Sequence, residues 1–89
     1  MRAVITVIGK DTVGILAKVS GVCAEYDVNI LEVTQSVLQE LFTMIMLVDV
    51  TRSSVSFDVL KDRLVGEGEQ QNLRIHVMHE DIFNSMHRV

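Results

Sequence analysis

The stretch from Leu41 to Val50 is apolar at every position except Thr43 and Asp49, and it constrains the fold more than any other segment. Its longest unbroken apolar run, Met44 to Val48, is far too short to span a bilayer. Read as a strand, it places Phe42, Met44, Met46, Val48 and Val50 on one face and Leu41, Ile45 and Leu47 on the other. A strand apolar on both faces has to be covered on both faces. A chain of 89 residues buries only about 60–65% of its unfolded surface. Oligomerisation is therefore expected to supply part of the cover.

The rest of the chain supplies the neighbours of that strand. Val4 to Ile8 is rich in β-branched residues and ends in Gly9, which predicts a first strand. From Val13 the period changes: Ile15, Val19, Val22 and Tyr26 fall in one arc at helical spacing, Leu16 and Cys23 widen it, and Lys18 and Glu25 lie opposite. Asp27 ends this helix. Val28 to Leu38 reads as a long second strand, with Leu31, Val33 and Val37 on one face and Ile30, Glu32, Thr34 and Ser36 on the other. Gln39-Glu40 makes a tight turn into the Leu41 strand.

Ser53 to Ser56 offers N-cap candidates for a second helix carrying Phe57, Leu60 and Leu64, with Asp58 near its positive end. This helix is expected to run to about Val65 and to break at Gly66-Glu67-Gly68, leaving a loose, polar crossover from Gly66 to Asn72. Leu73, Ile75 and Val77 alternate with Arg74, His76 and Met78 in a fourth strand, and a short C-terminal helix follows from Glu80 to about His87. The order strand, helix, strand, strand, helix, strand, with right-handed crossovers, predicts an α+β, ferredoxin-like βαββαβ sandwich over residues 1–89. It comprises a four-stranded antiparallel sheet, two helices on one face and the short C-terminal helix. The second face of the sheet must be covered by that last helix, by a second subunit, or by both.

Composition closes several routes. The formal charge is −4, and the eight Lys and Arg residues are scattered without a basic stripe, which disfavours direct nucleic-acid binding. One cysteine, Cys23, builds neither a disulfide framework nor a cysteine metal site, and its place in a helical pattern predicts a buried, inert thiol. Lys10 and Asp11 interrupt the first apolar run too early for a secretory signal. A cytoplasmic protein with no membrane association is the expectation.

The turn Gly9-Lys10-Asp11-Thr12-Val13-Gly14 joins the first strand to the first helix. A glycine-containing turn there aims free backbone N–H groups and a helix N-terminus above the sheet edge, a setting suited to a carboxylate. The opening of the second strand, Val28-Asn29-Ile30, is expected beside it. Gly14 serves either ligand contact or a backbone conformation that other residues resist. Asn29 is either a ligand group or a strand-entry residue bonding its own turn. A nucleotide loop is excluded because Gly14 is followed by Ile15-Leu16, not Lys-Ser/Thr. The turn also lacks the paired cysteines of a metal chaperone and the arginine of an acylphosphatase. An RNA-binding sheet would need stacking aromatics on its central strands, where only Phe42 stands. His76, His79 and Glu80 have metal-ligand spacing for a helix, but strand alternation sends the two histidines to opposite faces. No spacing suggests a catalytic set, and no cofactor or metal is expected.

Five strings in order carry a further likeness: Ile5-Thr6-Val7-Ile8-Gly9-Lys10-Asp11 with Gly14-Ile15, then Asn29-Ile30, Gln35-Ser36-Val37, Phe42-Thr43-Met44, and Glu80-Asp81-Ile82-Phe83-Asn84. Together with the element order they resemble the ACT domain, the small module that senses amino acids, and within it the stand-alone proteins related to the repressor of the glycine-cleavage system. The resemblance implies domains that pair through sheets or helices and hold an amino acid between subunits. Carried over by position, Lys10, Asp11, Thr12, Val13 and Gly14 form the carboxylate-binding turn, and Asn29 with Ile30 the facing strand of another copy. The α-ammonium would find acceptors in the Asn29 side chain, main-chain carbonyls or Asp11.

The expectation is thus a non-enzymatic amino-acid-binding regulatory domain. It would act as a homodimer or higher homo-oligomer and modulate a protein partner in amino-acid metabolism or its transcriptional control. The alternative is a ligand-free interaction module whose apolar sheet face docks on a partner or on itself.

Overall fold

The computed structural model describes residues 1–10 and 14–86. Asp11, Thr12 and Val13 of the expected turn, and His87 at the expected end of the last helix, lie outside the described residues. The elements follow the order β1 (Arg2–Gly9), α1 (Ile15–Glu25), β2 (Asn29–Leu38), β3 (Leu41–Asp49), α2 (Phe57–Gln70), β4 (Arg74–His79) and α3 (Glu80–Met86). The strands pair antiparallel in the order β2-β3-β1-β4, so β3 and β1 are central and β2 and β4 are edges. This is the ferredoxin-like sandwich.

One face of the sheet builds the core. Ala3, Ile5 and Val7 of β1 share it with Met44, Met46 and Val48 of β3 and with Ile75 and Val77 of β4, all buried. Ile15, Val19, Val22 and Cys23 of α1 and Leu60 and Leu64 of α2 close over them. Aliphatic and methionine side chains of this size contribute about 1.5–3 kcal/mol each when fully buried. Arg63 ties the two helices at the surface, donating to Glu25 Oε2 at 2.7 Å, to the Tyr26 hydroxyl at 3.0 Å and to Glu67 Oε1 at 3.1 Å. Its guanidinium also lies 5.7 Å from the centre of the Tyr26 ring.

On the other face the doubly apolar β3 is covered only in part. There α3 packs against β1 and β4. It is held at its start by Arg2, whose guanidinium meets Glu80 in a two-point fork at 3.1 and 2.7 Å. Val4 is buried on this face, while Ile45 and Leu47 are only partly covered.

The second helix does not break at Gly66-Glu67-Gly68. It continues to Gln70 because Gly68 is where the helix packs closest to β4, and because Glu67 pairs with Arg63 one turn back. The stop lies at Asn72, which takes φ 56°. Leu73 N–H donates to Gly68 O at 2.8 Å and Asn72 N–H to Glu69 O at 3.5 Å, the pair of reversed bonds that closes a helix through a left-handed residue. The first helix ends the same way: Asp27 has φ 58°, Val28 N–H donates to Cys23 O at 2.8 Å and Asp27 N–H to Ala24 O at 3.3 Å. The crossover from Gly66 to Asn72 is therefore helix and cap, not a loose segment.

The second strand also departs from simple alternation. Ile30 opposes Val48 and Glu32 opposes Leu47, so Leu31 is an extra residue in a bulge. The bulge moves Ile30 onto the face of Val33 and Val37, across from where strict alternation puts it. At the start of α2, Ser56 is the cap among the candidate serines, accepting from Val59 N–H at 3.3 Å.

Candidate functional site

The two halves of the predicted site lie at opposite ends of the sheet. Arg2, Asp49 and Asn29 share one rung of the ladder, and Gly9, Phe42 and Val37 share another. Seven residue steps along β1, from Arg2 to Gly9, separate the rungs, about 23 Å at strand rise. The expectation that the first turn and the second strand opening sit side by side within one chain is not met. The reason is topological. β1 and β2 run the same way, and the crossover helix returns the chain to the end of the sheet where β1 began.

At the first end, Lys10 is exposed and Gly14 caps α1 with φ 76°. No atom lies within 4 Å of where a Cβ would stand on Gly14, so glycine answers a backbone need there, not a steric one. Lys18 N–H donates to Gly14 O at 2.9 Å as the first helical bond. Gly9, by contrast, lies against a side chain: a Cβ on it would meet Leu73 Cδ2, the movable tip of that residue. Leu73, between α2 and β4, thereby packs on the last residue of β1. A seam lined by Ile15, Lys18, Leu64, Gln71 and Leu73 runs between the helices here, but its free volume of about 10 Å³ leaves no room for a ligand.

At the second end, Asn29 is exposed and opens a cleft of about 380 Å³ lined also by Asp27, Asp49, Thr51 and Arg52. Ile30 is partly buried and packs on the core. Thr51 N–H donates to Asp49 Oδ1 at 2.9 Å, and hydrogen bonds from Thr51 hold the Asp49 carboxyl below the usual carboxylate range. The cleft thus combines carboxyl acceptors with an amide and a guanidinium, groups that can meet an ammonium and a carboxylate respectively. Asp27, Asp49, Thr51 and Arg52 escaped sequence reasoning, although three of them follow each other closely at the end of the third strand.

The histidines do not converge. His76 opposes Thr6 on the α3 side of the sheet, whereas His79 opposes Ala3 on the core side, where its ring stacks on Phe57 with centroids 4.2 Å apart. Among the described residues no group of three or more His, Cys, Asp or Glu side chains could hold a metal ion. Cys23 is fully buried, and burial pushes its thiol up to about 11. Among the described residues no helix is long and apolar enough to cross a membrane.

Known proteins resemble the chain over nearly its full length. The ACT domain family model matches residues 2–78. A UPF0237 protein of Clostridium acetobutylicum is 53% identical over 89 residues, covering 100% of both chains. The structure of an ACT domain protein from Streptococcus pneumoniae is 40% identical, with 93% of each chain covered and a TM-score of 0.80. The structure of a protein assigned as a glycine cleavage system transcriptional repressor is 25% identical with a TM-score of 0.73; the match covers 85% of this chain and 43% of that one. The chain belongs, with the UPF0237 proteins, to the ACT domain family of small-molecule regulatory domains.

Proposed function

We propose that the chain works as a single ACT domain that binds a free amino acid between copies of itself and reports its occupancy to a larger cytoplasmic protein of amino-acid metabolism or its transcriptional control. Its role is regulatory, not catalytic. Lys10 to Gly14 of one copy take the carboxylate, and Asn29 with Ile30 of another hold the ammonium end. The observation that carries this reading is the distance of about 23 Å between the two halves in one chain. Two half-sites at opposite ends of a sheet close on one small ligand only when two copies meet. The cleft at Asn29 supports the assignment, since Asp27 and Asp49 add carboxylates where an ammonium would sit.

The test is a thermal-shift panel of the common amino acids at millimolar concentration. A ligand at about 100 times its dissociation constant stabilises by about 2.7 kcal/mol, worth several degrees or more for a domain of this size. Asn29→Ala should abolish the shift while leaving the unliganded melting temperature near wild type, because Asn29 is exposed. A melting temperature unmoved by every amino acid would sink the reading.

A further inference from the structure

The cleft at Asn29 holds charges that the fold leaves unmatched. Arg2 is committed to Glu80, and Arg63 to Glu25 and Glu67. Arg52 lines the cleft together with Asp27 and Asp49, yet among the described residues it forms no ion pair with either. Asp49 is partly occupied, because its Oδ1 accepts from Thr51 N–H at 2.9 Å. Asp27 and Asn29 are exposed.

The backbone fixes this arrangement. Arg52 stands in a turn closed by Ser53 N–H, which donates to Val50 O at 3.1 Å, and Ser54 N–H donates to Tyr26 O at 2.8 Å, fastening that turn to the end of α1. Asp27 comes next after Tyr26, in the left-handed cap with φ 58°. The chain segments that carry the guanidinium and the carboxylate are thus tied to each other, and their side chains line about 380 Å³ of open space without pairing. Such a pair suits a guest that carries both signs of charge.

In the two-copy arrangement proposed above, the first turn of one copy takes the α-carboxylate and the Asn29 end of the other takes the ammonium. Arg52 then has no part of a neutral amino acid left to bind. We infer that the ligand carries a second carboxylate on its side chain, that Arg52 pairs with it, and that the guests are the acidic amino acids. Asp27 and the Asn29 side-chain oxygen remain for the ammonium. This specificity rests on the amino-acid reading and adds the substrate class to it. The net charge of −4 opposes an anionic guest, so a preference for one has to come from a cation placed at the site. The planar fork of an arginine matches a carboxylate at two points. An apolar side chain in the same place would desolvate the guanidinium without pairing it.

Titration calorimetry of the full chain with glutamate, aspartate, glutamine and asparagine, at matched ionic strength, tests the inference, since each acid has nearly the shape of its amide. Glutamate or aspartate should bind about 10–100-fold more tightly than its amide, the range expected of one hydrogen bond to a charged group. Arg52 is exposed, so Arg52→Gln should melt like wild type. It should bind the acid and its amide equally, with the affinity for the amide unchanged. Amino acids bound with no preference for the acid, or a preference that survives Arg52→Gln, would overturn the inference and leave the amino-acid reading standing. An equal loss of every amino acid in Arg52→Gln would assign Arg52 to the α-carboxylate and overturn the inference as well. A chain that binds no amino acid would overturn both.

Discussion

Ile75 stands where a side chain on Gly68 would be: a Cβ built on that glycine would lie 2.9 Å from Ile75 Cγ1 and 3.0 Å from Leu73 O. The contact explains a glycine in the last turn of a helix, where local preference argues against it. Gly66, two residues earlier, has no atom within 4 Å of its Cβ position.

The two glycines should therefore respond oppositely to the same substitution. Gly66→Ala should stabilise by about 0.5–1 kcal/mol through helix propensity alone. Gly68→Ala gains the same propensity but overpacks the seam against β4, which costs about 1–3 kcal/mol and leaves a net loss. Urea denaturation of both variants checks this, and shifts of the same sign would contradict the packing described.

Asn72 closes α2 in the left-handed region, which asparagine tolerates and glycine prefers. Asn72→Gly should be neutral or slightly stabilising, whereas Asn72→Ala should cost about 1 kcal/mol. A thermal melt that fails to separate the two would mean that the cap is not what ends the helix.

The Cys23 thiol ionises near 11 in the folded chain against an ordinary value of 9.0. Its pKa is raised, so between these values the folded chain holds a proton that the unfolded chain has lost, and stability falls as pH rises from about 9 to about 11. Cys23→Ala should flatten that part of the stability–pH curve. At pH 8 the native thiol should resist disulfide reagents until the chain is unfolded by denaturant.

Arg63 joins Glu25, Tyr26 and Glu67 at the surface, an arrangement that Lys cannot reproduce with one nitrogen. Arg63→Lys should lower the melting temperature nearly as much as Arg63→Ala, and the loss should shrink at high salt. Equal melting of Arg63→Lys and wild type would show that charge alone suffices.

Most of the fold was legible because hydrophobic period survives folding: the β-branched run of β1, the arc from Ile15 to Cys23 and the doubly apolar β3 each dictate one element. What escaped depends on partners distant in sequence. The bulge at Leu31 exists only against β3, and the continuation of α2 past Gly68 is decided by Ile75 and Leu73, so the local signal of two glycines pointed the wrong way. In the site, the need for glycine at position 14 was legible, since it is a backbone requirement. The separation of Asn29 from the first turn was implied by the crossover but required following the chain direction through α1.

Both helices end on a left-handed residue, Asp27 and Asn72, and each hands the chain straight to an edge strand. Those two entries stand at diagonally opposite corners of the sheet, because β2 starts level with Arg2 and β4 starts level with Ile8. A panel pinned at two diagonal corners can change its twist, but neither edge strand can slide along its neighbour without undoing a helix end.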